Sequence, residues 1–427
     1  MHSPHRVLII GGGFAGLNCA QSLANDDRFE VLLIDKQNHH LFQPLLYQVA
    51  TASLSGPSVA RSLRSILDKA KNVSVHLGTV NDIDCQDQKI TTDHTTYPYD
   101  TLVLATGAQN AYFGNDHWDD HCYGLKTLED SRLIRQRVLH ALERAERSDD
   151  PEERKKLMTV AIIGGGPTGV ELAGAFSDLI RRALKTDYRT IDLSEFQIIL
   201  IQSGPRLLKP FDEKHSKYTA QRLRKLGVNV ILNTRVDDIK DRYLHLNDGR
   251  EIHAETLIWA AGVSASGLTE KIDCARDRGG RIEVTPNLSI PGNPNLFAAG
   301  DLVSLTDPND VKVPGLAPAA MQMGKHIAKV LKKDQETPNP DQDFSHRPSF
   351  LYRDKGIMAI IGKNAAVVQT KKLKIKGYPA WIAWLLIHIM FLVGFRNKLV
   401  VLLSWSFAYL FDRPAARVFS LVKKTLK

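Results

Sequence analysis

The sequence predicts an α/β protein in which two similar strand–turn–helix units are followed by a helical C-terminal segment. A strand of buried type runs into a glycine-rich turn twice, as RVLIIGGGFAG at residues 6–16 and as TVAIIGGGPTG at residues 159–169. The tail is the second observation, because its residues 378–395 form a long apolar run. A chain of 427 residues, 43% apolar and 24% charged, is long enough for two or three globular domains.

The first glycine-rich turn has the spacing of a dinucleotide-binding site. Gly11, Gly13 and Gly16 follow the strand and lead into a helical pattern, LNCAQSLAN. Such glycines permit a tight turn, close approach of the backbone to a pyrophosphate, and packing of the helix on the strand. The next strand, FEVLLID, ends in Asp35, 19 residues after Gly16, where a carboxylate can accept hydrogen bonds from a ribose. This order of elements predicts a Rossmann-like unit.

The second turn repeats the pattern with one difference. Gly164, Gly166 and Gly169 precede VELAGAFSDLIRRAL, but the closing strand FQIILIQ ends in Gln202 instead of an acid. A later strand, NLFAAGD, suggests that the chain returns to its first domain. We therefore predict two Rossmann-like dinucleotide-binding domains, the first formed by residues 1–115 and 285–335, the second by residues 116–284. Residues 336–427 are predicted as a C-terminal domain.

The C-terminal segment combines apolar runs with positive charge. Between residues 371 and 427 there are 11 Lys or Arg and one acid, so the net charge of +9 belongs to the tail and nucleic-acid binding is not indicated. The apolar runs 378–395 and 399–411 would span roughly 27 Å and 20 Å as helices, against a hydrocarbon core of ~30 Å. Trp381, Trp384, Trp405 and Tyr409 are residue types of a membrane interface.

We interpret residues from about 378 to 427 as amphipathic helices that lie on the membrane surface. A short transmembrane helix and a buried helix pair or dimer interface are the alternatives.

The cysteines argue against thiol chemistry. Cys19, Cys85, Cys122 and Cys274 lie far apart without a CxxC motif, which excludes a dithiol relay beside the first glycine turn. The loop NDHWDDHCYG contains two histidines and Cys122, but its spacing is irregular. We predict no metal site.

Several motifs together identify a family resemblance. In order along the chain they are GGGFAGL, IDKQNHHLFQPLLYQVAT, ATG, GGGPTGVELAG, FAAGD, DKGIMAIIG and the apolar tail. They resemble the two-dinucleotide flavoprotein reductase superfamily and, within it, the type II NADH:quinone dehydrogenases. The resemblance implies FAD in the first unit and NADH in the second, with electrons passing to a membrane quinone, ubiquinone or menaquinone, without proton pumping. It also implies a respiratory-chain homodimer, peripheral on the cytoplasmic face of the cell membrane.

The resemblance further implies which residues form each site. The FAD site would consist of Gly11, Gly12, Gly13, Phe14, Ala15, Gly16, Asp35, Lys36, Val80, Thr106, Gly107, Asp301, Ala317, Pro318 and Lys355. The nicotinamide nucleotide would contact Gly164, Gly166, Gly169 and Gln202. The quinone would contact Gln43, Tyr47, Gln48 and Gln322, with Glu171 and Gln322 as catalytic residues.

Four of these residues have simpler explanations. Asp301 is also a plausible helix N-cap before LVSL, Lys355 an exposed turn lysine, and Tyr47 a core aromatic residue. Glu171 is expected in the first turn of a helix, where the helix dipole stabilises a carboxylate whatever its function.

The missing acid at Gln202 bears on nucleotide choice. A glutamine cannot repel a 2′-phosphate, so NADH is expected to be preferred with relaxed exclusion of NADPH, and Arg206 is a candidate phosphate ligand. Two functional alternatives remain open. One is a reductase with another acceptor, including a sulfide:quinone type that would use Cys122 and Cys274. The other is a redox-sensing membrane protein that binds FAD and NADH.

Overall fold

A computed structural model describes residues 3–184, 187–337, 344–411 and 416–419. The chain forms two compact units, each assembled from separate stretches. The first contains the residues up to His40, residues 61–109 and residues 263–355. The second contains residues 41–60 and 110–262 and the chain from Gly356 onward.

The strands and helices have the following bounds. The strands are β1 (His5–Ile10), β2 (Phe29–Asp35), β3 (His39–Leu41), β4 (Ala60–Ser62), β5 (Val73–Leu77), β6 (Val80–Asp84), β7 (Lys89–Thr92), β8 (Thr96–Pro98), β9 (Thr101–Leu104), β10 (Ala108–Asn110), β11 (Thr159–Ile163), β12 (Gln197–Ile201), β13 (Val228–Ile231), β14 (Val236–Lys240), β15 (Tyr243–Leu246), β16 (Glu251–His253), β17 (Thr256–Trp259), β18 (Val263–Ala265), β19 (Ile282–Glu283), β20 (Ser289–Ile290), β21 (Asn293–Ala298), β22 (Val303–Ser304), β23 (Ile357–Ile360), β24 (Ala366–Gln369) and β25 (Lys374–Gly377). The α-helices are α1 (Phe14–Leu23), α2 (Leu46–Ala50), α3 (Gly56–Val59), α4 (Leu63–Ile66), α5 (Leu128–Arg147), α6 (Pro151–Leu157), α7 (Pro167–Asp178), α8 (Glu213–Lys225), α9 (Ala317–Glu336), α10 (Tyr378–Phe391) and α11 (Phe395–Phe411).

The first unit is built on a six-stranded sheet in the order β20-β21-β9-β1-β2-β5. The five strands from β21 to β5 run parallel, and β20 is antiparallel to β21. The four residues from Val7 to Ile10 are all buried, as expected for a central parallel strand covered on both faces. Helices α1 and α9 touch closely, since a Cβ on Gly324 would lie 2.0 Å from the carbonyl oxygen of Ala15.

The second unit repeats this plan with a parallel sheet in the order β13-β12-β11-β17. All five residues of β11 are buried, and α7 begins directly after the second glycine turn. Helix α5 begins at a capping box in which Thr127 and Asp130 satisfy each other's backbone amides. The same unit contains the antiparallel sheet β23-β24-β25, which leads into α10 and α11.

The C-terminal helices differ in position from the predicted apolar runs. The expected break at Arg396–Lys398 lies inside α11, and the chain turns instead between α10 and α11, where Gly394 has a φ of +89°. A positive φ is accessible to glycine at no steric cost, which explains a break at this residue. Among the described helices, none has the length and apolarity to cross a membrane. Residues 412–415 and 420–427 of the predicted membrane segment lie outside the described residues.

The two units also divide the chain differently from the predicted domains. Residues 263–284 fall in the first unit, where Ile282 of β19 pairs with Val303 of β22 and belongs to the core. Residues 41–60 and the chain from Gly356 onward fall in the second unit instead of forming parts of other domains. Such boundaries depend on pairings between distant stretches, which local sequence motifs do not report.

Candidate active site

In the first unit, the glycine turn is closed on one side and open on the other. Gly11 has a φ of +104°, and a Cβ there would lie 2.4 Å from the carbonyl oxygen of Ala105 at the end of β9. A Cβ on Gly13 would meet no atom within 4 Å. The turn therefore packs tightly against the sheet while its outer side, at the start of α1, has room for a phosphate group.

Asp35 and a residue not predicted from the sequence hold this turn in place. The Asp35 carboxylate accepts hydrogen bonds from the backbone N–H groups of Gly12 at 2.6 Å and Gln37 at 2.7 Å. The buried His40 donates through Nδ1 to the carbonyl oxygen of Gly12 at 3.0 Å, and its ring lies edge-on to Phe14. Both backbone polar groups of Gly12 are thus fixed by side chains, one at the end of β2 and one in β3. The paired histidines after this strand were the only sequence signal for His40.

The other predicted FAD residues also lie in the first unit. Val80 begins β6, Thr106 and Gly107 follow β9, and Ala317 and Pro318 begin α9. Lys36 and Lys355 have exposed side chains. Asp301 lies in a turn before β22, so the alternative interpretation of Asp301 as a helix N-cap is wrong because LVSL is not helical. The open turn at Gly13 and the acid at the tip of β2 fit a dinucleotide such as FAD.

Gln322 has its amide engaged with the backbone. Its Nε2 donates to the carbonyl oxygens of Pro318 and Arg353, each at 3.1 Å, and its Oε1 accepts from the Arg353 N–H at 3.0 Å. Both amide hydrogens are used by these bonds. If Gln322 contacts the quinone, as the resemblance implies, donation to a quinone oxygen requires one of these hydrogen bonds to be released.

In the second unit the glycine turn has the same geometry. Gly164 has a φ of +114°, and a Cβ there would lie 2.4 Å from the carbonyl oxygen of Ala260. A Cβ on Gly166 would again meet nothing within 4 Å. Gln202 accepts a hydrogen bond from the Gly165 N–H at 2.7 Å, as Asp35 does from Gly12 in the first unit. The amide therefore replaces the carboxylate in its structural role without providing a negative charge.

Arg206 does not serve as the expected free phosphate ligand. Its guanidinium donates to the carbonyl oxygens of Lys209 and Phe211, both at 2.8 Å, and to the hydroxyl of Ser216 at 3.3 Å. These bonds hold the loop between β12 and α8. A cavity of about 640 Å³ lies beside this loop, with Arg206 and Gln221 among its lining residues.

Glu171 lies in the second turn of α7, so its expected position in the first turn is wrong. The helix begins at Pro167, and its first turn contains no acid. The Glu171 carboxylate accepts a long hydrogen bond of 3.4 Å from the Ile360 N–H. The residue keeps some solvent exposure, but so much protein surrounds its carboxyl group that desolvation raises the pKa of Glu171 to about 8. At neutral pH this side chain is therefore an uncharged acid.

A cluster of aromatic and amide side chains lies in the same unit as Glu171, and all of its members are buried except the half-buried Trp405. Trp405 donates through Nε1 to Gln48 Oε1 at 2.7 Å, and Gln48 donates through Nε2 to the Tyr47 hydroxyl at 2.8 Å. The Trp384 ring stacks on His388 at 3.8 Å between centroids and lies 6.4 Å from the Tyr47 ring. Trp384, predicted at a membrane interface, is fully buried because it packs in this cluster.

The Trp384 indole N–H lies near the Glu171 carboxyl group. Its proximity lowers the Glu171 pKa against the larger effect of desolvation, and among the described residues the buried Nε1 has no hydrogen-bond partner. Gln43, predicted to contact quinone, is exposed and donates to the Lys126 carbonyl oxygen at 3.3 Å.

Cys122, which the sulfide:quinone alternative would use, has its thiol bonded to the backbone. Cys122 is buried, and its Sγ–H donates to the carbonyl oxygen of Trp118 at 3.2 Å. Within the described ranges, no group of three His, Cys, Asp or Glu side chains is arranged to hold a metal ion.

Two glycine turns of this geometry, each at the end of a run of parallel strands, are typical of a protein that binds two dinucleotides. A family model described as pyridine nucleotide-disulphide oxidoreductase matches residues 5–324, and one described as the NDH2 C-terminal domain matches residues 355–414. The chain is 41% identical to the type II NADH:quinone oxidoreductase Ndh of Mycobacterium tuberculosis, over 96% of this chain and 89% of the relative. It is 42% identical to NdhA of the same organism, over 95% and 87%.

The chain therefore belongs to the type II NADH:quinone oxidoreductase family, within the pyridine nucleotide-disulphide oxidoreductases. The fold agrees with a solved structure of NDH2 from Plasmodium falciparum in complex with NADH, with a TM-score of 0.89 at 22% identity, over 97% of this chain and all of that one. The family predicted from the motifs is confirmed.

The contact between His40 and Gly12 generates a testable prediction about FAD retention. His40→Phe keeps an aromatic ring beside Phe14 but leaves the Gly12 carbonyl without its donor. We expect FAD to dissociate roughly 5- to 10-fold more readily, because one such hydrogen bond contributes about 1 kcal/mol. Flavin fluorescence on dilution and on heating measures this release.

The neighbouring His39→Phe is the matched control, since among the described residues the half-buried His39 ring is hydrogen-bonded to the side chain of Asn38 and not to the glycine turn. Equal FAD retention in both variants would show that His40 does not support the site.

Proposed function

We propose that the protein is an FAD-dependent NADH:quinone oxidoreductase of the respiratory chain that does not pump protons. The observation with most weight is the pair of glycine turns, open at Gly13 and Gly166, in a chain 41% identical over 96% of its length to a type II NADH:quinone oxidoreductase. When bound, FAD supplies the redox chemistry, because it takes electrons from NADH and passes them to a quinone. The relatives favour this activity over a sulfide:quinone reductase or a redox sensor.

Each unit would bind one of the two dinucleotides. In the first unit, the turn from Gly11 to Gly16 and Asp35 would hold the FAD pyrophosphate and ribose. In the second, the turn from Gly164 to Gly169 and Gln202 would hold the nicotinamide nucleotide. Glu171 would supply a proton for the quinone, because quinone reduction consumes protons as well as electrons and this acid is neutral at pH 7.

Glu171 should control the reaction with quinone in a pH-dependent way. Glu171→Gln removes the proton, so we expect turnover with quinone to fall at least tenfold at pH 7 while FAD stays bound. Since a donor with a pKa of about 8 loses its proton as pH rises, wild-type turnover should decline above pH 8, and the variant should lack this decline. Stopped-flow flavin absorbance, with NADH reduction and quinone reoxidation followed separately, measures both effects.

Other titratable groups of the cluster do not produce this profile. Burial raises the pKa of Tyr47 well above its ordinary range, and burial lowers the pKa of His388 to about 4. Unchanged reoxidation in Glu171→Gln would remove this residue from the proton route.

Nucleotide selection is expected to depend on Gln202. Gln202→Glu places a charge beside the ribose, and two like charges about 4 Å apart at an effective dielectric of ~20 repel by roughly 4 kcal/mol, an upper limit. We expect the ratio of kcat/KM for NADH over NADPH to rise at least tenfold. Gln221→Glu is the matched control, because Gln221 lines the neighbouring cavity and makes no bond to the glycine turn in the described structure. An equal ratio in both variants would exclude Gln202 as the selector.

We further propose that α10 and α11 dock on the cytoplasmic face of the cell membrane. Exposed apolar side chains are concentrated on these helices, with Phe395 at 81% and Leu410 at 71% exposure. Lys371, Lys372, Lys374, Lys376, Arg396 and Lys398 supply positive charge in the same segment. Exposed apolar side chains flanked by basic residues are typical of segments that bind anionic lipid surfaces.

The membrane proposal is tested with substitutions that spare the buried cluster. Deleting the whole tail would also remove Trp384 and Trp405, so Leu386→Ser combined with Leu410→Ser is the sharper change. We expect the affinity for anionic vesicles, measured by co-sedimentation, to fall at least tenfold. Each leucine contributes about 1–2 kcal/mol when it is buried in an apolar environment. Leu77→Ser with Leu351→Ser is the matched control, since both residues are more than half exposed elsewhere.

Two outcomes would contradict membrane docking. One is equal vesicle binding by both double variants. The other is a change from dimer to monomer with unchanged vesicle binding, which would assign the apolar surface to contact between two copies of the chain.

A further inference from the structure

Tyr47, Gln48 and Trp405 form a hydrogen-bonded chain that has a direction. Tyr47 is 4% exposed and Gln48 7%, so both polar groups lie away from bulk water. The two bonds of the chain are short, 2.7 Å from Trp405 to Gln48 and 2.8 Å from Gln48 to Tyr47. Burying a primary amide is costly unless its polar atoms are bonded, so its place in this cluster calls for an explanation.

The chemistry of the indole group decides the direction. An indole N–H donates and cannot accept, so Gln48 must present its oxygen to Trp405. Its amide nitrogen then faces Tyr47 and donates to the hydroxyl oxygen. Tyr47 therefore acts as the acceptor in this pair, and its own hydrogen is directed to another partner. A carboxylate at position 48 would reverse this arrangement, because it would accept from both neighbours.

The hydroxyl hydrogen of Tyr47 is available for a ligand. Across the described residues, no acceptor for it is found, although the group is buried. Burial raises the pKa of Tyr47 well above its ordinary range, so the phenol keeps its hydrogen at neutral pH. A buried donor without an acceptor is unusual and suggests a missing acceptor atom.

We propose that Tyr47 donates a hydrogen bond to a carbonyl oxygen of the quinone, and that Gln48 and Trp405 are positioning residues that direct this hydrogen. The inference rests on the proposed quinone reduction and assigns Gln48 a role different from the direct quinone contact that the sequence predicted. It also gives α11 a role in the reaction, because Trp405 sets the direction of the hydrogen bonds from Gln48 to Tyr47.

The test measures reoxidation of the reduced holoenzyme by a water-soluble short-chain benzoquinone, which avoids any effect of membrane binding. Tyr47→Phe should lower kcat/KM for this quinone roughly 5- to 10-fold. Gln48→Glu should produce a similar loss by turning the hydroxyl towards position 48, and Trp405→Phe a loss of about threefold. Reduction of the flavin by NADH should be unchanged in all three. Tyr112→Phe is the matched control, a buried tyrosine of the same unit whose hydroxyl donates to Asp119 at 2.7 Å.

Double variants separate positioning from general damage. If Gln48 and Trp405 act through the Tyr47 hydroxyl, neither Gln48→Glu nor Trp405→Phe should cause a further loss in the Tyr47→Phe background. A full additional loss there, or an equal slowing of flavin reduction by NADH, would overturn the proposal. If Gln48→Glu does not fold, Trp405→Phe alone gives the same comparison. Failure of the wild-type flavin to be reoxidised by quinone would instead refute the proposed function.

Discussion

Both dinucleotide units depend on a contact between two glycine backbones. A Cβ on Gly16 would lie 1.9 Å from the carbonyl oxygen of Gly11, and a Cβ on Gly169 would lie 1.9 Å from that of Gly164. No side chain fits at this distance, so helix and strand meet only because these positions are glycines. The contact directs the start of each helix to the end of its sheet. It also places the intervening backbone N–H against the side chain at the tip of the second strand, Asp35 in one unit and Gln202 in the other.

The parts of the fold that could be predicted are those determined by residues that lie close together in the sequence. The two glycine turns, the buried strands that lead into them and the helices that follow are specified by short continuous stretches, residues 6–16 and 159–169 with the helical patterns after them. The domain boundaries were not predictable in this way, because Ile282 joins the first unit by pairing with Val303 and the chain after Gly356 joins the second. The helix break at Gly394 was missed because the adjacent polar residues Arg396–Lys398 gave a stronger signal than a single glycine.

The candidate site shows the same division between local and distant information. Gln202 was identified as the substitute for an acid, and its contact with Gly165 agrees with that assignment. Glu171 was singled out, but its raised pKa depends on burial by other parts of the chain that sequence order does not reveal. Trp384 and Trp405 were expected at a membrane surface because tryptophan is common there. Instead, Trp384 is fully buried against His388, and Trp405 is half-buried and bonded to Gln48.

The bond between Trp405 and Gln48 has a consequence for the synthesis of the protein. It joins residues 357 positions apart. Contacts of such sequence separation form late, since the intervening chain must be ordered first. A nascent chain on the ribosome can build both glycine turns long before α11 emerges. The cluster around Tyr47 is completed only after α11 has been synthesised, so products truncated before α11 can have two nucleotide-binding folds and still lack it.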